Sequence, residues 1–373
     1  MKIKKIILVL ITWVIIVSIF LNIENNQQDS PKLDFVANQQ TQYSYSETRN
    51  YHMGFNVDAS NNLDDHADKL VNALKSGDII MTIHNPSWET IINNNSNFYR
   101  SKNINRIILE HNLIKKSNKK SLLVLNIFDK DNKQTLANYP YDTKNSSRRT
   151  NEKTIEGENH KALIEEIIFL TAAYEPDYFA LGLEINITYV KNPVIFQEYL
   201  NLYSEAYDAI KKLNNQVKVF PIFQYEELLG FSSSQNAHVP RWEVVDMFNN
   251  KIDYFAISSA PSKYILTERN LPENYYKKLS SITSIPIIFT GIGFEGSSNN
   301  QSSAPTIEEQ YNFMNKLFQD SNIIKYEAIL WMQLEDFLDK KNKTTYEYGL
   351  YQEDKTKKKT YALWLENFNK KKK

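Results

Sequence analysis

The 373-residue sequence has no cysteine, only nine glycines and six histidines, and its 44 Lys plus Arg cancel its 44 Asp plus Glu. Without cysteine there is no disulfide, thiolate metal ligand, cysteine nucleophile or lipid-modified cysteine, so stability has to come from packing. Scarce glycine argues against a phosphate-cradling loop. After the first strand-like run, Gly54-Phe-Asn-Val-Asp58 offers one glycine where a dinucleotide fold uses several. Zero net charge removes a general attraction to nucleic acid, and the closing Lys370 to Lys373 run reads as a solvated tail. His84 has no ligand-spaced partner, and Asp129-Lys-Asp131-Asn132 lacks the glycine and distal glutamate of a calcium loop. The sequence asks for neither metal nor cofactor.

Apolar and aromatic residues are plentiful, at 42% and 13%, enough for one large core. Met1-Lys-Ile-Lys-Lys5 precedes an uncharged apolar run at 6–23, and polar residues follow from Glu24. Positive charge ahead of such a run marks export, with Lys2, Lys4 and Lys5 left in the cytoplasm. The run is close to the minimum for a bilayer span, roughly 17–25 residues. No small-x-small cleavage site follows closely, so 1–23 reads as a signal anchor in preference to a cleaved signal peptide. Residues 24–50, rich in Asn, Gln and Ser, read as a polar linker, and 51–373 as the folded domain. The expected location is the cell membrane, single-pass with an extracytoplasmic domain, or outside the cell if the segment is removed.

From Tyr51 onward, apolar runs at 51–57, 78–83, 121–128, 178–185, 217–223, 252–258, 286–290 and 327–334 alternate with amphipathic stretches. The helix candidates include 63–74, 160–173, 194–213 and 307–317, the last opened by a Thr306-x-x-Glu309 capping box. Eight strand-helix units predict a (β/α)8 TIM barrel, an α/β fold preceded by the N-terminal membrane segment.

In such a barrel the C-terminal ends of the strands face the site. Those ends carry Trp88, Asn126, Glu184, Asn186, Gln224, Tyr225, Glu226, Trp331, Gln333 and Glu335. Carboxylates, amides and aromatic rings suit a carbohydrate, whose hydroxyls need paired donors and acceptors and whose C–H faces stack on rings. Asn94, Asn145, Asn186, Asn300 and Asn342 open Asn-x-Ser/Thr sequences, most of them expected by chance in so asparagine-rich a chain.

Leu181-Gly-Leu-Glu184-Ile-Asn186, Pro286-Ile-Ile-Phe-Thr-Gly291-Ile-Gly-Phe294, Ile329-Leu-Trp331-Met-Gln333 and the closing Gly349-Leu-Tyr351, Asp354, Lys358 and Trp364 occur in an order that resembles the retaining TIM-barrel glycoside hydrolases. That clan includes the endo-galactanases and cellulase-like enzymes. The resemblance implies that Glu184 is the general acid/base. It also puts Gly291 at the strand-seven position where the clan has its glutamate nucleophile. Leu183 stands where the clan has asparagine, and Ala260 where it often has an aromatic residue.

A retaining mechanism needs two carboxyl groups about 5–5.5 Å apart, and an inverting one about 6.5–9.5 Å apart. Three readings therefore stay open. Glu295, Glu226 or Glu335 replaces the missing carboxylate in a glycoside hydrolase-like exported protein acting on a polysaccharide or oligosaccharide. Alternatively, the barrel binds glycan at the cell surface without hydrolysing it. In the third, it is an adhesion or scaffold protein. The expected substrate-binding residues are Trp331, Asn126, Trp88, Asn186, Gln224 and Tyr225, with carbohydrate and the membrane as partners and no nucleic acid.

Overall fold

The computed structural model describes residues 48–373 apart from 61, 89–101, 140–152, 232–238, 266, 298–304, 322 and 340–343. The apolar run at 6–23, nearly all of the expected linker, and Asn94, Asn145, Asn300 and Asn342 lie outside the described residues. Among the described residues no helix is long and apolar enough to cross a membrane.

The barrel strands are β1 (His52–Val57), β2 (Ile79–His84), β3 (Lys120–Leu125), β4 (Tyr178–Leu181), β5 (Lys218–Phe220 and Ile222–Gln224), β6 (Phe255–Ser259), β7 (Ile287–Ile292) and β8 (Tyr326–Trp331). The principal helices are α1 (Leu63–Leu74), α2 (Lys102–Lys116), α3 (Glu158–Tyr174), α4 (Ile185–Lys191), α5 (Pro193–Leu213), α6 (Ile307–Asp320) and α7 (Lys359–Phe368). All barrel pairings are parallel, each strand lying beside its neighbour in sequence, and β8 returns to β1 with Trp331 opposite Phe55. The two halves of β5 are separated by Pro221, which has no N–H to give the ladder. The first half pairs with β4 and the second with β6, while the Ile222 amide reaches Gly182 O at 3.2 Å. The nine-segment sheet is thus a nearly closed parallel barrel, its two end segments being the halves of β5.

The strands were legible because both of their faces are covered. In β7 every residue of Ile-Ile-Phe-Thr-Gly-Ile is buried, as expected for parallel strands with core inside and helices outside. Where β1 meets β2, a Cβ on Gly54 would fall 1.8 Å from the Ile79 carbonyl oxygen, so only glycine permits this approach. The helices follow their periodicity: α1 buries His66, Leu70, Ala73 and Leu74, with Asn62 capping its first turn. The Thr306/Glu309 capping box is formed at α6.

Three expectations need correction. β4 stops at Leu181, short of 185, because the chain turns left-handed at Gly182 and Glu184 and then enters α4. Helix α2 was not foreseen. The closing lysines are more than a solvated tail: Lys371–Lys372 pairs in parallel with Thr48–Arg49, so the ordered fold also starts ahead of Tyr51.

Candidate functional site

After β4 the sequence Gly182-Leu183-Glu184 turns the backbone sharply, with φ of 98° at Gly182 and 54° at Glu184. A Cβ at Gly182 would lie 2.5 Å from the Ile185 side chain and 2.9 Å from the Tyr199 hydroxyl, which restricts the position to glycine. Glu184, a non-glycine residue in the left-handed region, is held there by its neighbours. Ile185 is fully buried, and Asn186 clamps α4 to β5: its Nδ2 donates to Gln224 O at 2.9 Å and its Oδ1 accepts from Gln224 N at 2.8 Å.

The Glu184 side chain is 30% exposed, and its Oε2 lies 3.9 Å from the Lys133 ammonium. The Ser258 hydroxyl donates to Glu184 Oε1 at 2.8 Å. Lys133, buried in the loop after β3, donates to Leu183 O at 2.9 Å. Burial pushes the Lys133 ammonium pKa down, and the Glu184 carboxylate pulls it back up. Ser258 is the register partner of Gly291, and a Cβ built on Gly291 would meet no heavy atom within 4 Å. Thr290 is the extra residue of a bulge in β7, since Phe289 faces Ile257 while Gly291 faces Ser258. A carboxylate, a hydroxyl, an ammonium and an open space therefore meet at the ends of β4, β6 and β7.

The other carboxylates are engaged to different degrees. Glu226 is fully buried; its Oε1 accepts from Ser259 Oγ at 2.5 Å and Tyr275 at 3.1 Å, and its Oε2 from Gln224 Nε2 and the Ala260 amide. Burial pushes its pKa up, while the bonds from Ser259, Tyr275 and the Ala260 amide pull it down. Glu335 pairs with Lys355 beside a cavity of about 320 Å³ whose lining includes Asn56 and Gln333. Glu295 is half-buried, its pKa raised by burial and Glu347 against the opposing pull of Lys263 and Lys358.

Several expected ligand contacts are occupied by the fold. Trp331 is 0% exposed and donates its indole N–H to Tyr348 O at 2.7 Å, while Trp88 is 2% exposed and donates to Ala137 O at 2.8 Å. Both are enclosed packing rings with no open face for a sugar. The Gln224 side chain accepts from the Glu227 amide and donates to Glu226, and the Tyr225 hydroxyl donates to Tyr275 O at 2.6 Å. Asn186 is 1% exposed and fully paired, so it accepts neither sugar nor glycan modification in this fold. Asn126 differs: its Nδ2 donates to Asn85 at 3.2 Å, but its buried Oδ1 has no partner among the described residues.

Sequence reasoning missed Ser258, Lys133 and Tyr264. Tyr264 is 42% exposed, and its ring lies 6.1 Å from that of Phe231. Burial, then the carboxylates of Glu226, Glu227 and Glu184, push its phenol up to about 12, placing the ring within electrostatic reach of Glu184. Among the described residues no group of three or more His, Asp or Glu side chains could hold a metal.

No protein-family model and no curated protein matches the sequence. Solved structures do match its fold. A family 39 glycoside hydrolase from the gut symbiont Bacteroides cellulosilyticus WH2 superposes with a TM-score of 0.53 at 16% identity, over 86% of this chain and 64% of the other. GH5_18 from Streptomyces cattleya, solved in complex with GlcNAc, gives 0.61 at 12% identity over 86% and 80%. An FMN-binding β-glucuronidase from Faecalibacterium prausnitzii L2-6 gives 0.56 at 13% identity over 87% and 45%. The chain thus spans less than two thirds of the first and third of these proteins. At such identities the likeness is one of fold, and that fold is the α/β barrel of TIM-barrel glycoside hydrolases.

Proposed function

We propose that this chain is a glycoside hydrolase-like protein that takes a polysaccharide or oligosaccharide at the mouth of its barrel, with Glu184 in the role of proton donor and acceptor. The observation that carries this reading is the joint placement of Glu184, Ser258 and the open space at Gly291. Glu184 is the carboxylate of this group, partly exposed and fixed by its turn. Tyr264 supplies an exposed ring. Export through the N-terminal segment belongs to the same reading.

In a double displacement one carboxylic acid protonates the leaving oxygen, and a second carboxylate attacks the anomeric carbon. Gly291 offers no such second group. Glu226 is enclosed and already accepts four donors, and Glu335 is tied to Lys355, so Glu295 is the replacement with the fewest competing bonds. Binding without turnover is the second reading, favoured by the same enclosure of Glu226.

The test is hydrolysis of activated aryl glycosides and polysaccharides by the protein and by Glu184→Gln, each with and without formate. Turnover without formate that Glu184→Gln abolishes supports a replacement carboxylate. Turnover only with formate supports an intact cleft in which formate occupies the Gly291 space. Glycan binding with no turnover supports the second reading, and neither binding nor turnover overturns both.

A further inference from the structure

At the end of the barrel opposite Glu184, one depression is lined by more lysines than carboxylates. This depression of about 390 Å³ at the starts of β1 and β3 is lined by Lys115, Lys119, Lys120 and Lys372, with His52, Asn118, Asp78 and Asp177 between them. The two aspartates are committed inward: Asp78 holds Arg49 at 2.6 Å and the Met53 amide, and Asp177 accepts the Ser121 amide at 2.9 Å. Two of the lysines lie over rings, Lys119 at 5.5 Å from the centre of Phe368 and Lys120 at 5.3 Å from that of Tyr178, and Lys372 reaches the His52 ring. Lys115, Lys116 and Lys371–Lys373 extend the surface and are exposed. Local field effects agree with an excess of cations: burial and then Lys372 and Lys120 hold His52 down to about 4.

The chain also enters the barrel at this end. Thr48 is the register partner of Lys371, and Arg49 that of Lys372. The apolar run at 6–23 is therefore joined to the lysine-rich base by residues 24–47. If these residues behave as the polar linker that their composition suggests, a stretch of that length would have a root-mean-square span of about 25–30 Å. Lysines brought within a Debye length of an anionic leaflet are drawn onto it, and docking through this base would leave the mouth with Glu184 facing away from the leaflet.

We infer that the lysine-rich base of the barrel docks on anionic phospholipid headgroups of the membrane that holds the N-terminal segment. The inference rests on the export reading for the orientation it implies, and on the base itself for the binding.

The full chain would be mixed with vesicles of phosphatidylcholine, with or without phosphatidylglycerol, and its lysines labelled by an amine-reactive reagent and read by mass spectrometry. Docking predicts that Lys115, Lys116, Lys371 and Lys373 label about tenfold more slowly on the anionic vesicles than on the neutral ones, that high salt restores them, and that Lys263 and Lys355 at the mouth are unchanged. A full chain carrying Lys115→Glu, Lys116→Glu, Lys371→Glu and Lys373→Glu, folded by circular dichroism, should float with neutral vesicles like the parent and lose the anionic preference measured at Lys119. Flotation with anionic vesicles only, accompanied by this protection, supports docking and overturns the anchor. Equal labelling on both vesicles, protection of Lys119 that survives the four substitutions, or flotation with neither vesicle overturns docking. Protection of the same lysines by inorganic phosphate alone reassigns the base to a soluble anion and also overturns it.

Discussion

The Ser258 hydroxyl donates to Glu184 Oε1 at 2.8 Å, a bond that joins β6 to the turn after β4 across the intervening β5. It fixes the direction of the carboxylate, and because Ser258 pairs in register with Gly291, it also sets that carboxylate beside the open space. The missing side chain and the carboxylate that would work with it thus share one neighbour.

Gly291→Glu tests that relationship directly. The position has ordinary backbone φ and space for a Cβ, so the variant should fold and melt with the parent. A carboxylate there would stand where a nucleophile is needed, and hydrolysis of an activated aryl glycoside should rise by at least about 10²-fold. A folded variant with no gain, assayed on a sugar that the parent binds, would show that the space is not aligned with the anomeric carbon.

Ser258→Ala removes the donor while leaving the Glu184 carboxylate in place. A stability loss of about 1 kcal/mol is expected in urea denaturation, the usual net worth of such a bond. The more diagnostic readout is glycan affinity set against turnover, because Glu184 loses the bond that fixes the direction of its carboxylate. Unchanged values for both would remove Ser258 from the site.

The barrel was legible and the site only partly so, for a physical reason. Strands such as Ile79–His84 and Ile287–Ile292 are covered on both faces and announce themselves as apolar runs. Glu184 stood out because it closes such a run. Lys133 stands in a polar stretch between Asn132 and Gln134 that gives no sign of burial, and its buried position depends on a carbonyl fifty positions away, Leu183 O. Trp331 and Trp88 misled in the opposite sense, since nothing in a sequence shows that an indole N–H is spent on Tyr348 O or Ala137 O. Gly182 was readable as a glycine but not as the left-handed turn that ends β4 and starts α4.

Glu110 on α2 joins two histidines, accepting from His66 Nε2 and from His84 Nε2 at 2.7 Å each. Arg106 donates to His84 Nδ1 at 2.8 Å, which makes that nitrogen an acceptor and puts the His84 proton on Nε2. Although burial opposes it, the hydrogen bonds from His66 and His84 and the charge of Arg106 hold the Glu110 carboxyl down at about 2. A carboxylate lowered on folding stabilises above its unfolded value of 4.5 and loses that contribution as pH falls toward 2. Glu110→Ala should therefore cost about 3–5 kcal/mol at neutral pH, and the difference from the parent should shrink as acid is added. Urea titrations at neutral pH and below pH 4 measure both values; a constant difference would mean that packing, not charge, is the basis of the loss.

Glu166 on α3 should respond in the other direction. It is buried, and both carboxylate oxygens accept from the Ser87 amide, at 3.0 and 3.2 Å. Burial outweighs these bonds and raises its pKa from 4.5 to about 7. Between those values the folded chain holds a proton that the unfolded chain has released, so stability attributable to this group falls as pH rises through the interval. The full swing is on the order of 3 kcal/mol, from the free-energy equivalent of one pKa unit. Glu166→Gln keeps the carbonyl acceptor for Ser87 and carries no proton to lose. Its melting temperature should stay level from pH 5 to pH 8 relative to the parent's decline, and the two proteins should differ most at the alkaline end. Parallel curves would mean that Glu166 ionises as easily in the fold as outside it, through contacts that compensate for its burial.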